Sequence, residues 1–287
     1  MFVRLIDFMS EAVWSIPTVA LIALTGLWFT VKMRCLQITS FKEMLRALRK
    51  NLFSGGTRRA IESISTALAA TVGTGSVSGV ATALTIGGAG AIFWLWVSAF
   101  LGMAVAYAEG VLSIKYRSGK KGGIMYSIRD GLKEPFAAAV YAAFTLLASF
   151  GMGSMAQTNA GTQAISAEFS VQPVIIGAVF AIVAALCVFS KRDFTGKACS
   201  VFLPVLSVAY ICVTLWVIIV NYKNIPSAFE MIFSSAFGLR PIAGGAAGYA
   251  VKQAISTGFK RGIFSNEAAR LPLFTPRRRE YLPMSRG

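Results

Sequence analysis

Between residues 12 and 269 the chain passes through a succession of apolar stretches, several of about 18 residues or more, parted by short polar or basic segments. As helices, runs of that length match the hydrocarbon core of a bilayer, roughly 30 Å thick. Charged residues make up only 14% of the chain and the mean hydropathy is +0.64, whereas soluble domains carry about 25% charged residues. An outer-membrane barrel would alternate apolar and polar residues over about 10-residue segments, and these runs do not. The sequence therefore predicts an all-α polytopic membrane protein embedded in a lipid bilayer.

The formal net charge of +16 first suggests nucleic acid. The basic residues sit between the apolar runs rather than along one face, the pattern the positive-inside rule produces, so no nucleic-acid partner is expected. Segments 32–60, 115–133 and 191–197 together hold 17 Lys and Arg; the alternate segments hold only Arg4, Lys223 and Arg240. The asymmetry predicts a multi-pass protein of a bacterial plasma (inner) membrane, with the N-terminus outside and those three basic segments cytoplasmic. The first apolar stretch has Arg4 ahead of it and Lys32 and Arg34 behind it, the reverse of a signal peptide's charge order.

Enzyme chemistry finds little to work with. There is no histidine, and Cys35, Cys187, Cys199 and Cys212 lack metal-ligand spacing. No nucleophile–base set is visible, and no cofactor is expected.

Seven spans are expected: residues 12–31, 62–86, 91–114, 135–164, 173–190, 199–220 and about 244–269. Trp14 and Trp28 flank the first as interfacial anchors, and Trp94 and Trp96 open the third. Residues 40–53 space Phe41, Leu45, Leu48 and Leu52 as an amphipathic surface helix would. Residues 221–241 read as a loop with room for a short helix.

Three polar stretches interrupt the apolar pattern. In the first, residues 67–84, Gly73-Thr74-Gly75-Ser76 falls in mid-segment. It reads as a helix broken within the membrane, offering free backbone groups and hydroxyls to a solute: amides for a carboxylate, carbonyls for sodium. The Gly75–Gly79 spacing equally suits a helix-packing face, and both readings stand. The second, residues 151–159, places Gln157 and Asn159 beside a glycine pair; buried amides need partners, from neighbouring helices or from a solute. The third, residues 258–268, crowds Lys260, Arg261, Asn266 and Glu267 onto one segment. Counted from the first interrupted span, it lies on span six. Paired breaks in helices one and six are the pattern of a five-plus-five inverted repeat, which would put a second break at residues 262–266 opposite the first. Glu109, inside the third span, is either a functional acid or half of a structural pair.

At these stretches the sequence resembles the sodium:alanine (alanine or glycine:cation) symporter family. The matching residues are 26–38, 71–84, 87–117, 151–160 and 259–268, and the Arg-Gly-Ile-Phe-Ser-Asn-Glu-Ala string is the most specific. The resemblance implies a LeuT-like (APC superfamily) fold in which sodium drives alanine, glycine or serine inward. It implies that Gly73, Thr74 and Gly75 present amides to the substrate carboxylate, with Ser76 adjoining. Gln157, and more weakly Asn159, would contact substrate; Phe264 would pack on its side chain and Asn266 would complete the site. Backbone carbonyls of Ala70, Thr71, Val72 and Gly73 would bind sodium.

Two departures matter. Ser76 stands where the family usually has asparagine. After Ala268 the family continues with further helices, whereas residues 269–287 form a basic tail without apolar period. The tail reads as a frameshifted stretch or as a genuine short cytoplasmic tail. The expected organisation is an N-terminal helix and basic loop at 1–61, a first five-helix repeat at 62–220, the start of the second repeat at 221–269 and the tail at 270–287. The expected function is that of a sodium-coupled symporter truncated after its sixth core helix and unable to transport alone. The competing expectation is a channel-like or structural membrane protein.

Overall fold

A computed structural model of the chain describes Arg4 and residues 13–43, 45–46, 74–117, 122–189, 193–238 and 246–266. Nine helices carry the architecture of these residues: α1 (Ile16–Lys32), α2 (Thr74–Gly87), α3 (Gly90–Lys115), α4 (Pro135–Ala148), α5 (Ala156–Phe169), α6 (Pro173–Phe189), α7 (Asp193–Val220), α8 (Ile225–Ala236) and α9 (Ala246–Asn266). Local chemistry sets several ends. Proline occupies the first turn of α1, α4 and α8, where a missing N–H costs nothing. Ser170 ends α5 in the left-handed region at φ 54°, and Pro173 opens α6 three residues later.

Two helical stretches are long and apolar enough to cross a membrane outright, α3 and Pro135–Phe169, and a third counts if Val205–Val220 and Tyr222–Ala236, bent by 74°, form one span. Three shorter apolar helices, Pro17–Lys32, Ser76–Gly87 and Pro173–Cys187, lie where further spans are expected. The seventh expected span is helical as α9, but Lys252, Lys260 and Arg261 keep it outside the apolar set. Apolar side chains face outward, Phe189 being 88% exposed and Trp28 65%. In water that surface would aggregate; lipid accepts it.

Residues 225–236 are not loop. Their apolar residues recur every fourth position, and Phe229, Phe233 and Phe237 make ring contacts with Phe93, Trp94 and Trp96 of α3. This is the short helix for which the 221–241 segment left room, and those aromatic contacts hold it on α3. Of the expected surface helix at 40–53, residues 41–43 and 45–46 are described as helical.

The chain divides into two compact units. The first holds residues 1–44, 75–108 and 212–268; the second holds 45–74, 109–211 and 269–287. In the first, α1 closes on α3: a β-carbon at Gly26 would lie 2.8 Å from Cβ of Leu101, so only glycine permits the approach. Just beyond α1, Gln37 donates from Nε2 to Thr30 Oγ1 (2.9 Å) and to the Phe100 carbonyl (3.0 Å), tying loop to helix. Trp94 Nε1 donates to the Ala236 carbonyl at 3.3 Å, fixing α8 on α3. In the second unit, α4 continues into α5 through a π-helical segment, Ser149–Met155, and α5 pairs with α6 across the Ser170 turn.

Candidate functional site

The first and third polar stretches meet in the first unit. Ser76 Oγ on α2 lies 3.0 Å from Ser265 Oγ on α9, a hydrogen bond between hydroxyls. One turn along, the space over Gly79 is taken by Arg261, whose Cδ lies 3.9 Å from where a β-carbon would stand. At the other end of α2, Gly87 faces Thr257 and Ala254. Position rises on α2 as it falls on α9, so the two helices run antiparallel and side by side along the whole described length of α2.

The expected breaks differ from what is seen. Thr74, Gly75 and Ser76 belong to α2, so three of the four residues of the first interruption are helical. Gly73 and the proposed sodium ligands Ala70, Thr71 and Val72 lie outside the described residues. The second expected break, at 262–266, is absent: α9 continues through Asn266. The physical reason lies in its glycines. A β-carbon at Gly258 would stand 2.5 Å from the Ala91 carbonyl oxygen and 2.7 Å from Trp94 Cβ, and one at Gly262 would stand 2.7 Å from Ser98 Cβ. Ser98 Oγ also donates to the Phe259 carbonyl at 3.4 Å. Gly258 and Gly262, four apart, are therefore the face on which α9 packs against α3, and the helix needs no break there. The small-residue packing that the sequence offered at Gly75–Gly79 operates at Gly258–Gly262.

The second stretch is a helix of altered pitch rather than an unwound one. Residues 149–155 take π-helical hydrogen bonding, which inserts an extra residue into the turn and re-aims the helix beyond it. Gln157, near the start of α5, is half-buried; Asn159 is exposed, and its Oδ1 accepts from Gln163 Nε2 at 3.3 Å. Asn159 thus has a partner on its own helix. Both belong to the second unit, while Ser76 and the α9 residues belong to the first. The backbone of Phe264 and Asn266 forms the last turn of α9; the roles expected of their side chains, and Glu267, lie outside what is described.

Ser265 is not among the residues that the sequence singles out. It stands beside Asn266, whose amide is the more conspicuous group, yet its hydroxyl makes the contact to α2. A signal for it does exist in the sequence: a hydroxyl at the matching depth of each interrupted segment. Among the described residues no group of three or more His, Cys, Asp or Glu is placed to hold a metal ion.

Fold and site define an all-helical membrane protein in which two polar helix segments, far apart in sequence, pair antiparallel. The sodium:alanine symporter family profile matches residues 1–270, and the chain belongs to that family of transporters, which are not enzymes. It is 39% identical over 279 residues to the sodium/alanine symporter AgcS of Methanococcus maripaludis, covering 93% of this chain and 61% of that protein. It is 34% identical over 276 residues to a Bacillus subtilis protein named a probable sodium/glutamine symporter, GlnT, covering 92% of this chain and 56% of that one. The amino-acid carrier protein AlsT of Bacillus subtilis is 32% identical over 272 residues, covering 93% and 57%. The chain thus spans somewhat over half the length of the relatives it matches.

Proposed function

We propose that the chain forms part of a sodium-coupled symporter for alanine or a related small amino acid, glycine or serine included. The observation that carries the reading is the Ser76–Ser265 contact between antiparallel α2 and α9. Two helices related by an inverted repeat with an odd number of spans run antiparallel and pair at the repeat axis. That supports a LeuT-like five-plus-five arrangement with residues 1–61 outside it, the first repeat at 62–220 and the second beginning at 221–269. In this reading Gly73, Thr74, Gly75 and Ser76 approach the substrate carboxylate, and Gln157, Phe264 and Asn266 enclose the rest. Asn159, engaged with Gln163, contributes less. Carbonyls of Ala70, Thr71, Val72 and Gly73 take sodium.

Transport then needs no covalent step. Sodium and amino acid bound together favour one of two arrangements of the repeats, and the population shifts between outward- and inward-facing forms. The membrane would be the bacterial plasma membrane, with basic segments 32–60, 115–133 and 191–197 on the cytoplasmic side. Because the relatives extend well beyond the matched region, the 287 residues alone are expected not to accumulate substrate. A chimera completed with the C-terminal part of the Methanococcus maripaludis symporter is expected to take up alanine into proteoliposomes only with a sodium gradient. Uptake by the chimera that ignores sodium, or sodium-driven uptake by the 287 residues alone, would contradict this reading.

A further inference from the structure

Glu109 lies in α3, a membrane-crossing helix, about 9 Å along the axis from Lys115 at its end. Its Oε2 is buried and has no hydrogen-bond partner among the described residues. The Oγ of Ser113, four residues on and so on the same helix face, is likewise buried and unpartnered. Ser113 is fully buried, yet its hydroxyl does not take even the carbonyl one turn back, the usual resort of a serine in a membrane helix. A third such oxygen, Ser127 Oγ, lies in the segment that begins with Gly122, and Gly122 abuts the Ser113 carbonyl, 3.3 Å from where a β-carbon would stand.

Some of the charged and titratable groups described nearby already have partners of their own. Tyr141 of α4 lies within its electrostatic reach. In the segment after Gly122, Arg129 and Asp130 pair with each other at 2.7 Å. Glu109 is half-buried, and a buried carboxylate oxygen without a partner favours the neutral acid over the ionised one.

We propose that Glu109 and Ser113 form a proton-binding site inside the membrane, reached from the 116–127 side. The carboxylate takes one proton from water at that end of α3 and becomes a neutral acid, and a change of side-chain rotamer then brings it onto Ser113 Oγ, to which it is not bonded in this structure. The reverse step returns the proton to water on the same side. This site is separate from the Ser76–Ser265 contact and does not depend on which amino acid is carried.

The test is carbodiimide labelling of the full 287-residue chain in lipid nanodiscs, located by peptide mass spectrometry. Carbodiimides modify protonated carboxyls in apolar surroundings. Near neutral pH, Glu109 is expected to label severalfold faster than exposed Glu134 and Glu230. Labelling is expected to fall as pH rises and to be indifferent to sodium. Labelling of Glu109 no faster than that of Glu134 overturns the proposal; protection by sodium overturns it in favour of a metal-cation site. Ser113→Ala supplies a second readout that does not need Glu109 replaced. The infrared carbonyl band of the protonated acid, identified by its loss in Glu109→Gln, is expected to shift when the hydroxyl is removed. An unmoved band removes Ser113 from the site.

Discussion

Replacing Gly258 by alanine adds one methyl group where α9 presses on α3. The new carbon would stand 2.5 Å from the Ala91 carbonyl oxygen, 2.7 Å from Trp94 Cβ and 3.1 Å from the Leu95 backbone nitrogen. Two of those three atoms are backbone, which cannot swing aside, so the helices themselves must part. Overpacking of this kind costs about 1–3 kcal/mol, and backbone neighbours place it at the upper end. Alanine's better helix propensity returns about 1 kcal/mol. The net expectation is a loss of about 1–2 kcal/mol. Gly248, on the same helix, has nothing within 4 Å of its would-be β-carbon. Gly248→Ala therefore keeps the propensity gain and is expected to stabilise by up to about 1 kcal/mol. At roughly 2–4 °C per kcal/mol, apparent melting temperatures of the two purified variants should fall on opposite sides of the parent and differ by several degrees. Fluorescence-detected thermal melting in one detergent reads this directly. Equal melting of the two variants would refute the packing argument and return the Gly258–Gly262 pair to a flexible or broken segment.

The same geometry gives three further expected outcomes. In a double-mutant cycle, Ser76→Ala and Ser265→Ala should couple by about 0.6 kcal/mol, the average for hydrogen bonds between membrane helices, and additivity would mean the hydroxyls do not meet. Gln37→Met removes the donor to Thr30 and Phe100 and is expected to cost about 1–2 kcal/mol by the same melting assay. The Arg129 hydrogen bond holds the exposed Asp130 carboxyl below its ordinary 3.8. The folded value is the lower one, so the pair's contribution is present above the ordinary value and lost as pH falls through the depressed one. Carboxyl NMR should show Asp130 titrating low in the parent and at its ordinary value in Arg129→Ala.

The sequence makes α3 legible because its residues 90–108 carry no charge, and an apolar run of that length admits one structure at the membrane. The helix count led to the expectation that the first and third polar stretches lie opposite one another, and Ser76 and Ser265 do meet. The state of those stretches was not. Glycines four apart serve equally to break a helix or to let two helices touch, and only the facing residues, Ala91, Trp94 and Ser98, decide. Room for a short helix within 221–241 was legible, but its bounds at 225–236 were not, because its phenylalanines find their partners on α3. Ser265 was not legible because hydroxyls are common in helices and acquire a role only when another stands opposite.

In the proposed function the helices bearing Ser76 and Ser265 build one amino-acid site coupled to sodium. Binding of radiolabelled alanine to the completed chimera can be measured with sodium or with choline as the sole monovalent cation. Saturable binding is expected in sodium, little in choline, and weaker sodium-dependent binding in Ser76→Ala. Equal binding in both salts, or binding untouched by that substitution, would rule the proposed site out.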